Sequence, residues 1–313
     1  MTIELKESLE ALEQFAPEWS ELYRRCPRAT PFQSPQWLLP WTQHLYGGGR
    51  ILCLALRQEG ALAGFVPLFR WGTQARTISF VGAGVSDYGD LLFAPGQEGD
   101  CVRSVRNFLA EFHDWDILDL QELRSDSALL SAGIAEPCSV CPVLELSTYP
   151  DSMDHKHRTD LRRARNRLER EGGLHFDLAG ENNFEQLMGE FFHLYDTRWG
   201  TPEPAIRRFH EEVAARFLAS GNLWLSVLRI HGTPAAAIYA FSAGATLYCY
   251  LSGFDPERAK LSPGAVLLGW MIEDAIAKGV TTLDFLRHPD SYKYLWGAQD
   301  RINYKLTGLI DSR

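Results

Sequence analysis

Between residues 222 and 253 the chain places short apolar runs between turn residues: NLWLSVLRI, then His-Gly, then TPAAAIYAF, then a Gly-Ala break and TLYCYLSG. Apolar and β-branched runs of this length, punctuated by glycine, predict a meander of three strands over 222–230, 234–242 and 245–253. Two more short runs predict strands at 174–179 and 280–286. Between the meander and the last strand, apolar residues at 267, 268, 271, 272 and 276 repeat at helical spacing, with Gly279 placed as a C-terminal stop. Helices over about 183–199 and 204–220 are expected before the meander.

The same order occurs earlier in the chain. ALRQEGALAGFVPLF (55–69) and VLRIHGTPAAAIYAF (227–241) align without a gap at an offset of 172, and each reads as strand, tight turn, strand with its glycine, Gly60 or Gly232, where positive φ is needed. WDILDLQEL (115–123) and VTTLDFLRH (280–288) align at an offset of 165, and a helical stretch precedes each. The repeated order points to a tandem duplication whose boundary falls in the Pro/Ser/Asp stretch Tyr149–Asp154. The expected class is α+β: two domains, 1–150 and 151–313, each a mixed, mostly antiparallel sheet flanked by helices.

Composition narrows the function without naming it. With 45% hydrophobic and 23% charged residues the chain is of folded, globular type. No run approaches the roughly 18 apolar residues of a membrane span, and MTIELKESLEALEQF lacks the basic start and apolar block of a signal peptide, so the cytoplasm is expected. Six dispersed cysteines suit a reducing compartment, and Cys138-x-x-Cys141 lacks the second pair or spaced histidines of a zinc site. A net charge of −9 argues against general nucleic-acid binding. Residues 155–170, HKHRTDLRRARNRLER, reverse the sign locally with seven Lys/Arg against two acids; a solvated helix, a phosphate-bearing ligand and an anionic membrane surface all fit such a run. GAGVSD (82–87) is neither a dinucleotide fingerprint nor a nucleophile elbow.

Several stretches, in order, carry a resemblance to the FemAB-like and CelD-like branch of the GNAT acyltransferase superfamily. PFQSPQWLLPW (31–41) and SDYGDLLF (86–93) are similar to its N-terminal half, and KHRTDLRRARNRLEREGG to the opening of its second domain. FHLYDTRWG (192–200), LSPGAVLL (261–268) and DFLRHPDSYKYLW (284–296) are similar to its later signatures. The resemblance implies tandem GNAT domains that move an acyl group from acyl-CoA, with no metal, to an amine or hydroxyl of a sugar, lipid precursor or amino-acid-like acceptor in a polysaccharide or envelope setting. The rival readings are an aminoacyl-tRNA-dependent transferase of the FemX kind and a catalytically silent binding protein. The absence of a long heptad arm tells against tRNA, and double-stranded nucleic acid is not expected; peripheral membrane contact through 155–170 stays open.

Site residues follow from the same likeness. Ser262, Gly264 and Ala265 open the long helix, where free N–H groups and a partial positive charge suit the donor's pyrophosphate, although an ordinary helix start reads the same way. Asp284 at its strand end, or His288, is expected to handle the acceptor's proton, and Tyr292 to protonate the leaving thiolate; His288 stands where the family has glycine. Lys293 is expected to hold a phosphate or carboxylate of the donor. Arg198 and Trp199, with Asp87 and Tyr88 of the first half, are expected to line the acceptor side. Asp119 matches Asp284 in the repeat but lacks the Tyr-Lys-Trp cluster, so the first domain is expected to shape the acceptor pocket.

Overall fold

The computed structural model describes residues 1–171 and 173–309. The chain forms two compact units, Met1–Val140 with the segment from Arg301 onward, and Cys141–Asp300. The expected boundary at 150/151 therefore moves to 140/141, and the last strand returns to the first unit. The physical reason is continuity of backbone pairing: a 13-residue strand runs through the junction, and the Pro/Ser/Asp stretch lies wholly inside the second unit. There Asp154 Oδ1 accepts the His157 N–H at 2.8 Å and starts a helix.

The first unit contains β1 (Thr2–Lys6), α1 (Leu9–Arg25), α2 (Pro35–His44), β2 (Arg50–Ile51), β3 (Cys53–Gln58), β4 (Ala61–Val66), β5 (Leu68–Trp71), β6 (Thr77–Phe80), β7 (Leu92–Phe93), α3 (Glu98–Glu111), β8 (Ile117–Leu118), β9 (Leu120–Arg124) and the start of β10 (Gly133–Glu145). Its sheets run β1-β3-β4-β7 and β2-β5-β6-β8. The second unit contains α4 (His155–Glu171), β11 (Leu174–Leu178), α5 (Phe184–Trp199), α6 (Pro204–Ala219), β12 (Leu223–Ile230), β13 (Thr233–Ala243), β14 (Thr246–Phe254), α7 (Pro263–Ala277), β15 (Thr282–Asp284) and α8 (Ser291–Tyr294). From there β16 (Gln299–Leu309) re-enters the first unit and pairs antiparallel with β9.

The duplication read from the repeat is visible in the pairing. Among the described residues each unit has one parallel ladder: β6 with β8 (Ile78 opposite Leu118) and β14 with β15 (Leu247 opposite Leu283), each joined through a helix, α3 or α7. Both hairpins turn on a pair of positive-φ residues, Glu59-Gly60 and His231-Gly232, the geometry that matches strand twist in a two-residue loop.

The second unit is layered, as period-two burial requires. Trp224, Leu228, Ile238 and Leu247 face α7, whose Val266, Leu267, Met271 and Ile272 are fully buried against them. The opposite face carries Tyr239 and Phe241, which meet Phe191 of α5 at 5.4 Å and Phe217 of α6 at 4.4 Å between ring centroids. A basic helix needs its own seat, and α4 finds it on α7: Ala164 and Leu168 are buried, and Leu161 rests on Gly269, where an added Cβ would stand 3.3 Å from its methyl carbon.

Candidate active site in the second unit

The site lies where β14 and β15 part. They pair from Thr246 with Thr282 to Tyr248 with Asp284, after which β15 ends and β14 continues to Phe254. Asp284 causes the ending. Its Oδ1 accepts the Leu286 N–H at 2.8 Å, and Leu286 and His288 take φ values of 58° and 76°, turning the chain out of the sheet towards α8. The left-handed region disfavours a side chain at His288, which accounts for glycine at the matching place in the family it resembles. On its other edge β14 carries a bulge: Leu251 faces Tyr239 and Cys249 faces Ala240, so Tyr250 is the extra residue.

Lys293 corrects the expectation attached to it. The side chain is 3% exposed, and Nζ donates to the carbonyls of Arg287 and His288, both at 2.7 Å, and of Leu286 at 3.4 Å. An ammonium has three donors, and here they are directed to the turn after β15; the lysine fastens that turn instead of reaching for a phosphate. Asp284 is likewise fully enclosed, so it acts through the turn it caps. His288 is exposed, and its carbonyl takes one of the lysine hydrogens.

Tyr292 and Arg198 form the open side. The Tyr292 ring meets Phe285 edge-on at 6.2 Å and keeps 44% of its surface exposed. Burial around its phenol, then the neighbouring Cys249 and Asp290, push its pKa up, and Arg198 opposes them. The Arg198 guanidinium lies 4.3 Å from the Trp199 ring and 4.6 Å from Phe254; burial lowers its pKa, and Tyr292 and Asp290 act the other way. Stacking on two rings orders the fork while leaving its edge N–H groups available. Trp199 is itself tied to β14 through Nε1–H to the Ser252 carbonyl at 3.0 Å. What brings the end of α5 to β14 is Gly253: a Cβ there would stand 2.6 Å from both Leu194 C and Tyr195 N.

Cys249 sits at the centre, its thiol pushed up by burial and by the Asp284 charge, with Lys293 opposing. The thiol is thereby kept neutral and a poor nucleophile. The helix head expected to receive the donor is that of α7. Ser262 is left-handed at φ 52°, its side chain caps nothing, and the first N–H of the helix to bond within it is that of Val266, to Ser262 O at 3.1 Å. Pro263 has no N–H, so those of Gly264 and Ala265 point out of the helix end, and a Cβ on Gly264 would meet nothing within 4 Å. Arg167 of α4 reaches this loop, donating to Lys260 O at 2.7 Å.

Of the residues singled out in the sequence, Asp284, His288, Tyr292, Lys293, Arg198 and Trp199 gather around one strand split, and Ser262, Gly264 and Ala265 sit at the following helix head. Asp87 and Tyr88 belong to the first unit. Tyr88, 1% exposed and 6.0 Å from Phe32, is core, and its carbonyl takes the Gln33 side-chain N–H; Asp87 is buried, with its carbonyl accepting from Asn303. Sequence reasoning passed over Cys249, Phe254 and Gly253, whose only signal is a glycine near the end of a strand that outlasts its partner. Among the described residues no group of three or more His, Cys, Asp or Glu side chains is placed to hold a metal ion, and no helix is long and apolar enough to cross a membrane.

Comparison with known proteins agrees with this geometry. Residues 155–294 match the family model described as "Acetyltransferase (GNAT) domain". The crystal structure of FemX superposes with a TM-score of 0.64 at 12% identity, covering 97% of each chain. The C-terminal domain of a putative lysylphosphatidylglycerol synthetase from Agrobacterium fabrum gives 0.63 at 13% identity, covering 94% of this chain and 91% of that one. L-PGS from Bacillus licheniformis gives 0.61 at 14%, covering 88% and 87%. No curated protein matches the chain in sequence.

Proposed function

We propose that the chain is a FemAB-like member of the GNAT acyltransferase superfamily, on the match of residues 155–294 to the GNAT domain model and the likeness of its fold to FemX, and that its second unit transfers an acyl group from acyl-CoA to the amine, or the hydroxyl, of an acceptor that carries an anionic group. The observation that carries this reading is the parting of β14 from β15 beside an open helix head. Strands that separate expose backbone groups to an extended donor arm, and the outward N–H groups of Gly264 and Ala265 suit its diphosphate. In the transfer the acceptor's lone pair attacks the thioester carbonyl, the C–S bond breaks, and the thiolate takes a proton. The proton donor in this reading is the Tyr292 phenol, which stands partly exposed on the open side of the site, facing Arg198. The proton shed by the acceptor passes to the exposed His288 imidazole or to water. Arg198, stacked and lacking a carboxylate within ion-pair distance among the described residues, takes a carboxylate or phosphate of the acceptor. Among acceptors, an envelope or polysaccharide precursor fits the anionic requirement.

The test is thermal melting against acyl-CoAs of increasing chain length, with free CoA and Gly264→Trp as controls. A donor that binds the native state raises the melting temperature by mass action, and the bulky side chain at position 264 should remove the rise. No shift with any acyl-CoA, accompanied by a shift with an aminoacyl-tRNA, overturns the choice of donor.

A further inference from the structure

The sign of the charge changes along α4. The whole chain carries −9, yet residues 155–170 hold seven Lys/Arg and two acids. Three of the cations are matched locally, Arg158 by Asp151, Arg163 by Asp160 and Arg165 by Glu273 of α7. Lys156, Arg162, Arg167 and Arg170 are exposed and have no carboxylate within ion-pair distance among the described residues; Arg167 and Arg170 bond only to carbonyls. The apolar side chains of α4 are turned towards α7, so the outward face is basic without being amphipathic on its own.

Apolar surface is supplied at the head of the helix. The Asp154 N–H that precedes α4 donates to the Leu295 carbonyl at 3.0 Å, which fixes α8 and Leu295 beside the basic face. Leu295 and Tyr294 are 38% and 36% exposed; Tyr292, 44% exposed, belongs to the same short helix and acts on the charge of Arg198, whose guanidinium lies 4.3 Å from the exposed Trp199 ring. Basic residues flanked by tyrosine, tryptophan and leucine match the headgroup region of a bilayer, where cations meet lipid phosphates and amphipathic rings lie between water and acyl chains. An RNA backbone would reward the arginines and offer nothing to an aliphatic Leu295.

We propose that the exposed face of α4, with α8 at its head, docks on an anionic phospholipid bilayer and sets the Trp199–Tyr292 mouth at the lipid headgroups, so that the acceptor is amphiphilic and membrane-held. Docking stands independently of the acyl donor; only the statement about the acceptor rests on the transferase reading. Because the contact is electrostatic with shallow insertion, it weakens with salt.

The experiment is flotation of the full chain with vesicles of phosphatidylcholine alone or mixed with phosphatidylglycerol, at low and high salt. Partition to the mixed vesicles and release by salt are expected. At the strength typical of a cation beside an anionic leaflet, Lys156→Gln with Arg162→Gln should lower partition roughly 30-fold. Both side chains are exposed, so unchanged melting of the double variant certifies its fold. Leu295→Ser should lower partition severalfold with little change in salt sensitivity. Equal partition to neutral vesicles, none to the anionic ones, or full partition of the double variant overturns the proposal. So does tRNA binding lost in the double variant without any vesicle binding, which would assign the face to nucleic acid.

Discussion

Gly253→Ala puts the placement of the site to the test with one methyl group. The added Cβ would lie 2.6 Å from Leu194 C, 2.6 Å from Tyr195 N and 2.8 Å from Leu194 O, all backbone atoms of α5. Ordinary carbon contacts begin near 3.4 Å, so the helix must retreat by several tenths of an ångström, and no rotamer change can relieve it. Overpacking against a rigid neighbour costs about 1–3 kcal/mol. For a unit of this size each kilocalorie lowers the melting temperature by roughly 2–4 °C, so a fall of about 4–8 °C is expected at the middle of that range. The glycine has no positive φ, which removes backbone strain as a competing cause. Gly264→Ala is the matched control: its Cβ meets open space, and trading glycine for alanine in a helix should leave stability unchanged or raise it by up to about 1 kcal/mol. Calorimetric melting of both variants decides the matter. If Gly253→Ala melts with the wild type, α5 is not held by close approach to β14, and the account of how Arg198 and Trp199 reach Phe254 fails.

Three further outcomes are expected. Lys293→Met keeps the volume but leaves the partly buried Arg287 and His288 carbonyls without their donor; at about 1–2 kcal/mol for each, the lower part of the range for a buried group, a urea titration should show a loss of about 2–4 kcal/mol. In the first unit, burial raises the Asp90 carboxyl to about 7, while its Oδ1 accepts from Leu91 N–H and Ser127 Oγ–H. The native state therefore keeps a proton that the unfolded chain releases near pH 4, and the stability tied to this group falls as pH rises from about 4 to about 7 and is level above that. Asp90→Asn retains both contacts without the charge, so urea midpoints should show a gain of up to about 4 kcal/mol at pH 8 and none below pH 4; an equal gain at both would assign the effect to something other than ionisation. With the donor identified, Tyr292→Phe should lower kcat about a hundred-fold at nearly constant KM, and a donor thioester with a more acidic leaving thiol should recover most of the loss.

Much of the second unit was legible because its signals are local. The helices expected at 183–199 and 204–220 form over 184–199 and 204–219, and the meander strands agree within a residue or so at each end. Both hairpin glycines adopt positive φ. The last strand is shorter than the apolar run VTTLDFL suggested, since the Asp284 carboxylate competes for the Leu286 N–H and turns the chain three residues into the strand. The boundary was misplaced because Tyr149–Asp154 has the composition of a linker, and composition does not reveal whether the strand before it ends or the last strand of the chain comes back.

The site divides in the same way. Sequence by itself determined the elements of the second unit between 174 and 284, the repeat, and the chemical types at the end of β15, because apolar period, turn glycines and a helix opening on Ser-Pro-Gly act over a few residues. Tertiary structure decided the direction of each group. A lysine next to a tyrosine gives no hint that its ammonium is enclosed by three carbonyls, nor an arginine at a helix end that two rings flank it, one of them 56 residues further on. Those outcomes depend on which backbone comes close to which, and here that was set by Gly253, a residue whose contribution is the side chain it lacks.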